Sequence, residues 1–377
     1  MRKEVDNMSD NRAISRTLFD KLLDKNGIYH QFYMFVLEHK NELVLCFRGN
    51  GNPESIMIYH NNHIVWELCG DEDKIGISFN HARYSENWTD IRAELDKLGF
   101  GVRDKDGELI EPDRADSIGM LYCMCASNKF CSDPAGFVRE SYKLVMNMMN
   151  DFFAPKKEID YDFFKKCDTK YKKNLAEKRW QQKLFNDLKF YQNGLFAYDL
   201  EFSQPDGVNQ SESNEPDMLA LRYENGLPVA IVLVEVKSLG SACRPSGKSK
   251  SDIYSHIRGM KSYSKSKNIN NRRKEAHDIL QLYKELGLYV KDDQMIPDLN
   301  NELPIECLLI FTTADLIDVG YKIPSSESAI HYYLNNKEKI NRFVNDKDWC
   351  CKVICVGSFA KNRRYDAKEY HLPSEWK

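Results

Sequence analysis

Glu235 and Lys237 stand two residues apart at the end of "VAIVLV", the longest apolar run of the chain. A strand that apolar reads as buried on both faces. Acids and lysines are seldom fully buried unless they are paired or hold a metal. Strand period puts both side chains on one face. Either the strand surfaces at Glu235, or the two charges sit at the rim of a core because chemistry needs them there. The spacing alone carries nothing, since E-x-K recurs at Glu38 and Glu72, and D-x-K at Asp168, Asp187 and Asp366. The surroundings distinguish Glu235-x-Lys237. A second strand opens with Pro216-Asp217, and a basic stretch follows. Upstream, "NLAEKRWQQKLFNDLKFY" reads as a helix whose inner face is marked by Leu184 and Leu188. At helical pitch Glu177 lies about 20° from Leu184, and Gln181 about 60° from it. A polar residue on an apolar stripe needs a partner.

The elements that must position these residues fall in two parts. Residues 1–155 read as a β-rich domain ending in a helix, and 156–377 as a mixed sheet with helices. In the first part, "YHQFYMFVL", "ELVLCFRG", "SIMIYH", "HIVWEL" and "KIGISFN" are short runs between turn residues and predict an antiparallel meander. His60 and His63 flank an Asn-Asn hairpin turn. A helix is expected from Trp88 to Leu98, and another over "GFVRESYKLVMNMMNDFF", with a linker at "APKKEIDYD". In the second part the expected order is a helix at 171–190, strands at 194–202, 216–223 and 228–237, helices at 251–265 and 271–286, a strand at 306–313, a helix at 326–344 and a strand at 351–357. That is an α/β arrangement, α+β overall. The chain has 377 residues, 42% of them hydrophobic and 29% charged, with a net charge of -3, so any nucleic-acid affinity must be local. "MRKEVDNMSDNRAIS" has no apolar signal segment and six apolar residues are far too few to span a membrane, so a cytoplasmic protein is expected. The eleven cysteines lack metal-ligand spacing and read as free thiols, mostly buried.

A helix, then a strand opening with "PD", then "LVEVK", then a basic helix resembles the PD-(D/E)xK nuclease superfamily, whose core is α-β-β-β-α-β. Here that core spans residues 171–313. The resemblance implies a restriction-endonuclease-like fold and hydrolysis of phosphodiester bonds, DNA favoured, with Mg2+ or Mn2+. It implies that Asp217, Glu235, the carbonyl of Val236 and Glu177 hold the cation. Lys237 then positions the attacking water or stabilises the charged phosphorane, and Gln181 supports them. Such chemistry needs a hard cation with carboxylate and water oxygens. "AEKRWQQKLF", "EPDMLAL" and "LVEVK" are also similar to Shedu-type antiphage nucleases. That likeness implies a homo-oligomeric bacterial defence effector with the first domain as sensor or regulator. The helix holding Tyr263 and Arg258 lacks the glutamine of RecB-like branches. A protein on the same fold that binds nucleic acid without cutting is the alternative.

Between Arg244 and Lys274 the chain carries ten Lys or Arg against one acid, Asp252. Phosphate contact is the natural use of so lopsided a run, which makes Arg244, Lys248, Lys250, Arg258, Lys261, Arg272 and Arg273 candidate nucleic-acid contacts. "ACRPSGKS" in the same place fits a permissive P-loop and keeps a nucleotide-binding reading open. Against that reading, Pro245 removes a cradle N–H, and no other strand ends in hydrophobics followed by Asp.

A shared cation requires Asp217 and Glu235 on one face, and the hairpin decides this. A plain two-residue Asn225-Gly226 turn would set Asp217 opposite Val234, on the wrong face. A three-residue loop, Glu224-Asn225-Gly226 with a G1 bulge, or any bulge of the same parity, brings Asp217, Glu235 and Lys237 to one face. The latter is the expectation.

Overall fold

The fold was obtained as a computed structural model. The structure describes residues 12–49, 54–60, 63–70, 74–78, 94, 97–98, 120–124, 133–153, 175–188, 194–200, 216–244, 252–264, 269–290, 294–298, 303–313, 328–345 and 349–357. The chain divides into two compact units, Met1–Ala154 and Pro155–Lys377.

The first unit holds helices α1 (Arg16–Leu23) and α2 (Ile28–Glu38), strands β1 (Leu43–Arg48), β2 (Ser55–His60), β3 (His63–Cys69), β4 (Lys74–Ser78) and β5 (Met120–Met124), and helix α3 (Pro134–Phe153). The strands form one antiparallel sheet in chain order. The hairpin expected at His60 and His63 is present, the two residues pairing directly. "YHQFYMFVL" is helical and not a strand. Its buried residues are Tyr29, Phe32, Tyr33, Phe35 and Val36, four of which fall at i, i+3, i+4 and i+7, the helical spacing. The strand β5 was not anticipated, and it pairs with β4 across a long connection. The helix expected at 88–98 lies largely outside the described residues, as does the linker. Trp66 is fully buried, meets Phe32 edge-on at 5.0 Å and donates through Nε1 to Ser141 Oγ at 3.2 Å. That bond satisfies the one polar atom of the ring while α2, β3 and α3 close on it.

The second unit holds α4 (Leu175–Leu188), β6 (Leu195–Leu200), β7 (Met218–Glu224), β8 (Leu227–Lys237), the short α5 (Gly240–Cys243), α6 (Ile253–Ser264), α7 (Ile269–Glu285), β9 (Ile305–Thr312), α8 (Ala329–Val344) and β10 (Cys351–Val356). Its sheet has the order β10-β9-β8-β7-β6. β6, β7 and β8 are antiparallel, whereas β8, β9 and β10 are parallel. Helices flank the sheet: α4 packs on β6 and β8, α7 on β6, and α6 and α8 on β9. β9 is buried throughout and β8 from Ala230 to its end, which is why both read as unbroken apolar runs.

The β7–β8 hairpin departs from its expected loop and keeps the expected parity. Asn225 and Gly226 both have positive φ, 51° and 79°, the backbone of a two-residue type I′ turn. Glu224 pairs with Leu227 and Tyr223 with Pro228, then the register shifts and Arg222 pairs with Ala230. Val229 is the extra residue of a bulge. Pro228 has no N–H to give the ladder, and on the other side of β7 Tyr223 N donates to Gly194 O at 2.7 Å. Beyond the bulge Met218 pairs with Val234, so Asp217 comes opposite Glu235.

Candidate active site

Glu235 and Lys237 end β8 on one face, 1% and 5% exposed. The strand does not surface there, so its charges must be compensated inside the protein. The end of β8 is fixed from three directions. Ser238 Oγ and Thr312 Oγ1 are 2.7 Å apart, Ala329 N donates to Ser238 O at 2.9 Å, and the strand continues directly into α5. Helix α4 is pinned to the same region by Trp180 Nε1, which donates to Thr313 O at 2.7 Å. This bond sets the rotation of α4, and Glu177 and Gln181, one turn apart, face β8 together.

Lys237 Nζ lies 2.7 Å from Glu235 Oε1 and donates to Glu177 Oε1 at 3.2 Å. Ser238 N donates to Glu177 Oε2 at 3.5 Å. Asp217 Oδ2 accepts from Val236 N at 2.6 Å, and Oδ1 accepts from Gln181 Nε2 at 2.5 Å. The structure therefore brings Asp217, Glu235, Lys237, Glu177 and Gln181 together. It also adds a residue that sequence reasoning missed. His256 Nδ1, from α6, stands 2.9 Å from Glu235 Oε1. Its signal was a lone histidine among the buried Ile253, Ile257 and Met260 of the helix following β8. Both nitrogens approach Oε1 at ion-pair distance. Glu235 Oε1, Glu235 Oε2 and His256 Nδ1 are all buried, and none has a partner at hydrogen-bond geometry among the described residues.

The electrostatics follow from crowding three carboxyl groups around one ammonium. Burial of the Asp217 carboxyl, aided by the charge of Glu235, pushes it well above the usual carboxylate range, against the pull of Lys237. Burial would raise Glu235 as well, but Lys237 and His256 outweigh it and hold Glu235 ionised, below the usual range. Burial opposes the charge on Lys237, and Glu177, Glu235 and Asp217 together overcome it, so its ammonium is held well above the usual range. Two neighbouring carboxyls are thus driven apart in proton affinity.

The residues fit a hard divalent cation. The site carries more acid than base, one carboxyl is forced toward its neutral form, and both buried oxygens of Glu235 lack a partner at hydrogen-bond geometry among the described residues. The N–H and C=O of a strand residue point to the same side, so the Val236 carbonyl opens toward Asp217. Asp217, Glu235 and the Val236 carbonyl form an oxygen donor set suited to Mg2+ or Mn2+. Among the described residues no group of three or more His, Cys, Asp or Glu side chains is placed to hold a metal. Glu177 faces Lys237 and Ser238 N, its Oε1 accepting from Nζ and its Oε2 from the backbone N–H.

The basic residues divide. Arg272 does not serve as a phosphate contact, because it is 1% exposed and paired with Glu275 at 2.5 Å inside the unit. Arg273 is half-buried and donates through Nε and Nη2 to Leu303 O at 3.1 and 2.9 Å. Arg258 is exposed and Lys261 half-buried on α6. Helical pitch turns them about 160° and 140° away from His256, so they do not line the site. Arg244 is exposed at the end of α5, directly after the site strand. Lys248 and Lys250 lie outside the described residues. Ala242 and Cys243, the opening of "ACRPSGKS", belong to α5, so the segment does not begin as a loop leaving a strand.

The described cysteines are free thiols, Cys46, Cys69, Cys123, Cys243 and Cys307 buried and Cys350 exposed. Among the described residues no helix is long and apolar enough to cross a membrane. Comparison of the chain with protein-family models, with curated proteins and with solved structures finds no match.

Proposed function

We propose that the Pro155–Lys377 unit is a divalent-cation-dependent nuclease that hydrolyses phosphodiester bonds, DNA being the favoured substrate. One observation carries the reading. Asp217, Glu235 and Lys237 converge on one face at the end of the central strand, and a bulge in the hairpin is what brings them there. Asp217, Glu235 and the Val236 carbonyl would hold Mg2+ or Mn2+, which supplies charge neutralisation and a hydroxide near neutral pH. Gln181 and Val236 N–H fix both oxygens of Asp217. Glu177 holds the Lys237 ammonium, whose charge stabilises the extra negative charge on phosphorus in the transition state. Arg244, exposed at the end of α5, would meet a phosphate beside the site.

A non-cleaving, nucleic-acid-binding protein on the same fold is the second reading, favoured by the closure of Lys237 onto Glu235 and Glu177. An antiphage role, assembly of several copies and a sensing role for the first unit rest on the Shedu resemblance. Purified protein incubated with plasmid, linear DNA and RNA, with Mg2+ or Mn2+ and with EDTA, decides between the two. Cleavage that needs the cation and disappears in Glu235→Ala supports the nuclease. Cleavage undiminished in Glu235→Ala removes the site, and binding without cleavage under all conditions supports the second reading.

A further inference from the structure

Glu235 is gripped asymmetrically. Lys237 Nζ from the sheet and His256 Nδ1 from α6 both stand at ion-pair distance from Oε1, 2.7 and 2.9 Å, although neither Oε1 nor Oε2 has a partner at hydrogen-bond geometry among the described residues. A carboxylate's terminal torsion is soft and roughly two-fold, so an ungripped glutamate presents either oxygen in a range of directions. Two nitrogens on one oxygen remove that freedom and leave the other oxygen as the one available to a cation.

The approach of His256 is built into the helix. Asp252 Oδ1 accepts from Ser255 N at 2.9 Å, and Asp252 O accepts from His256 N at 3.1 Å, which fixes the first turn of α6. Ile253, Ile257 and Met260 are each at most 1% exposed and set the rotation of the helix. The side chain of His256 is 20% exposed, yet its Nδ1 is sealed from solvent. The ring therefore lies partly at the surface, with its inner nitrogen against Glu235.

We propose that His256 is a positioning residue, which through Nδ1 holds Glu235 Oε1 so that Oε2 faces the divalent cation. The inference rests on the nuclease reading. Residues that orient a metal-binding carboxylate typically change metal affinity by about 10- to 100-fold when removed.

The test is calorimetric titration of Mn2+ into the full-length protein without nucleic acid, for wild type, Glu235→Ala, His256→Leu and His256→Asn. Leucine keeps an apolar side chain of similar bulk and removes the nitrogen. The asparagine amide nitrogen sits where Nδ1 sat. The expected result is binding by wild type, loss in Glu235→Ala, affinity weakened about 10-fold or more in His256→Leu, and recovery to within about threefold of wild type in His256→Asn. Wild-type affinity in His256→Leu, with Glu235→Ala still defective, overturns the positioning role and leaves the cation site standing. Asparagine as weak as leucine overturns the Nδ1 contact. No binding of Mn2+ by wild type removes the nuclease reading, and the positioning role with it.

Discussion

Asp217 and Lys237 contribute to one site and act oppositely on stability. The folded protein raises the proton affinity of Asp217, chiefly by burying it and then by placing it near Glu235. A group whose folded pKa is raised contributes stability that is complete below its unfolded pKa, about 3.9 for aspartate, and is lost as pH rises through the folded value. As the pH rises from the unfolded value through the raised folded one, ionisation of Asp217 therefore works against the fold. Asp217→Asn is expected to raise Tm in metal-free buffer, with the gain over wild type growing as the pH rises, while cleavage is lost. Thermal melts at stepped pH with EDTA check this, and a Tm below wild type at every pH contradicts it. Lys237→Ala also abolishes cleavage but strands Glu235 and Glu177 without their shared cation. Breaking a buried pair in this way costs about 3–5 kcal/mol, read as a fall in denaturation midpoint. The acids, the lysine and Gln181 were legible because strand and helix periods say which side chains share a face. His256 was not, since one histidine on an apolar stripe looks the same whether it packs or points at Glu235. Arg272 was misjudged because a count of charges holds no information on burial; its partner Glu275 lies one turn later on the same helix.

At the scale of elements, the hairpin decides whether a site exists. Local chemistry favoured the Asn225-Gly226 turn, and the turn is there. What local chemistry leaves out is the bulge, where Pro228 has no N–H to give the ladder and the register shifts between Tyr223 and Arg222. The bulge places Val229 outside the ladder, with Tyr223 paired to Pro228 and Arg222 to Ala230. Deleting Val229 should thus preserve every pair on the Asp217 side and leave the two charged residues on their face. The expected outcome is a folded variant that retains cation binding and cation-dependent cleavage. A deletion of Leu233, inside the ladder, turns Glu235 to the opposite face or unfolds the unit, and loses both. If the Val229 deletion abolishes cation binding while staying folded, the register is not set as described. The same distinction explains the other differences. The parallel strands β8 and β9 were legible from their unbroken apolar runs. The helix α2 was misread because a dense aromatic cluster satisfies strand preference locally, while its buried spacing of i, i+3, i+4 and i+7 is visible only when periods are compared. The strand β5 pairs with a segment far earlier in the chain, and its few residues carry little periodicity of their own.

At the scale of the whole chain, two units with separate sheets and separate cores carry different burdens. Met1–Ala154 closes around Trp66, Phe32 and the antiparallel sheet. Pro155–Lys377 buries the carboxyl groups and bears the strain of their mutual repulsion. Units with their own cores unfold as separate cooperative transitions unless a large shared interface couples them. Scanning calorimetry of the full chain is therefore expected to resolve two transitions. A ligand that binds only the native state stabilises it in proportion to the logarithm of its concentration, about 2.7 kcal/mol at a hundred times Kd. For a unit of this size that corresponds to a rise on the order of 5–10 °C. Mn2+ should move one transition by this amount and leave the other in place, and Glu235→Ala should cancel the movement without merging the two. A single transition that rises as a whole with Mn2+ would mean that the units unfold together, and that cation binding at the end of β8 is felt by the sheet around Trp66 as well.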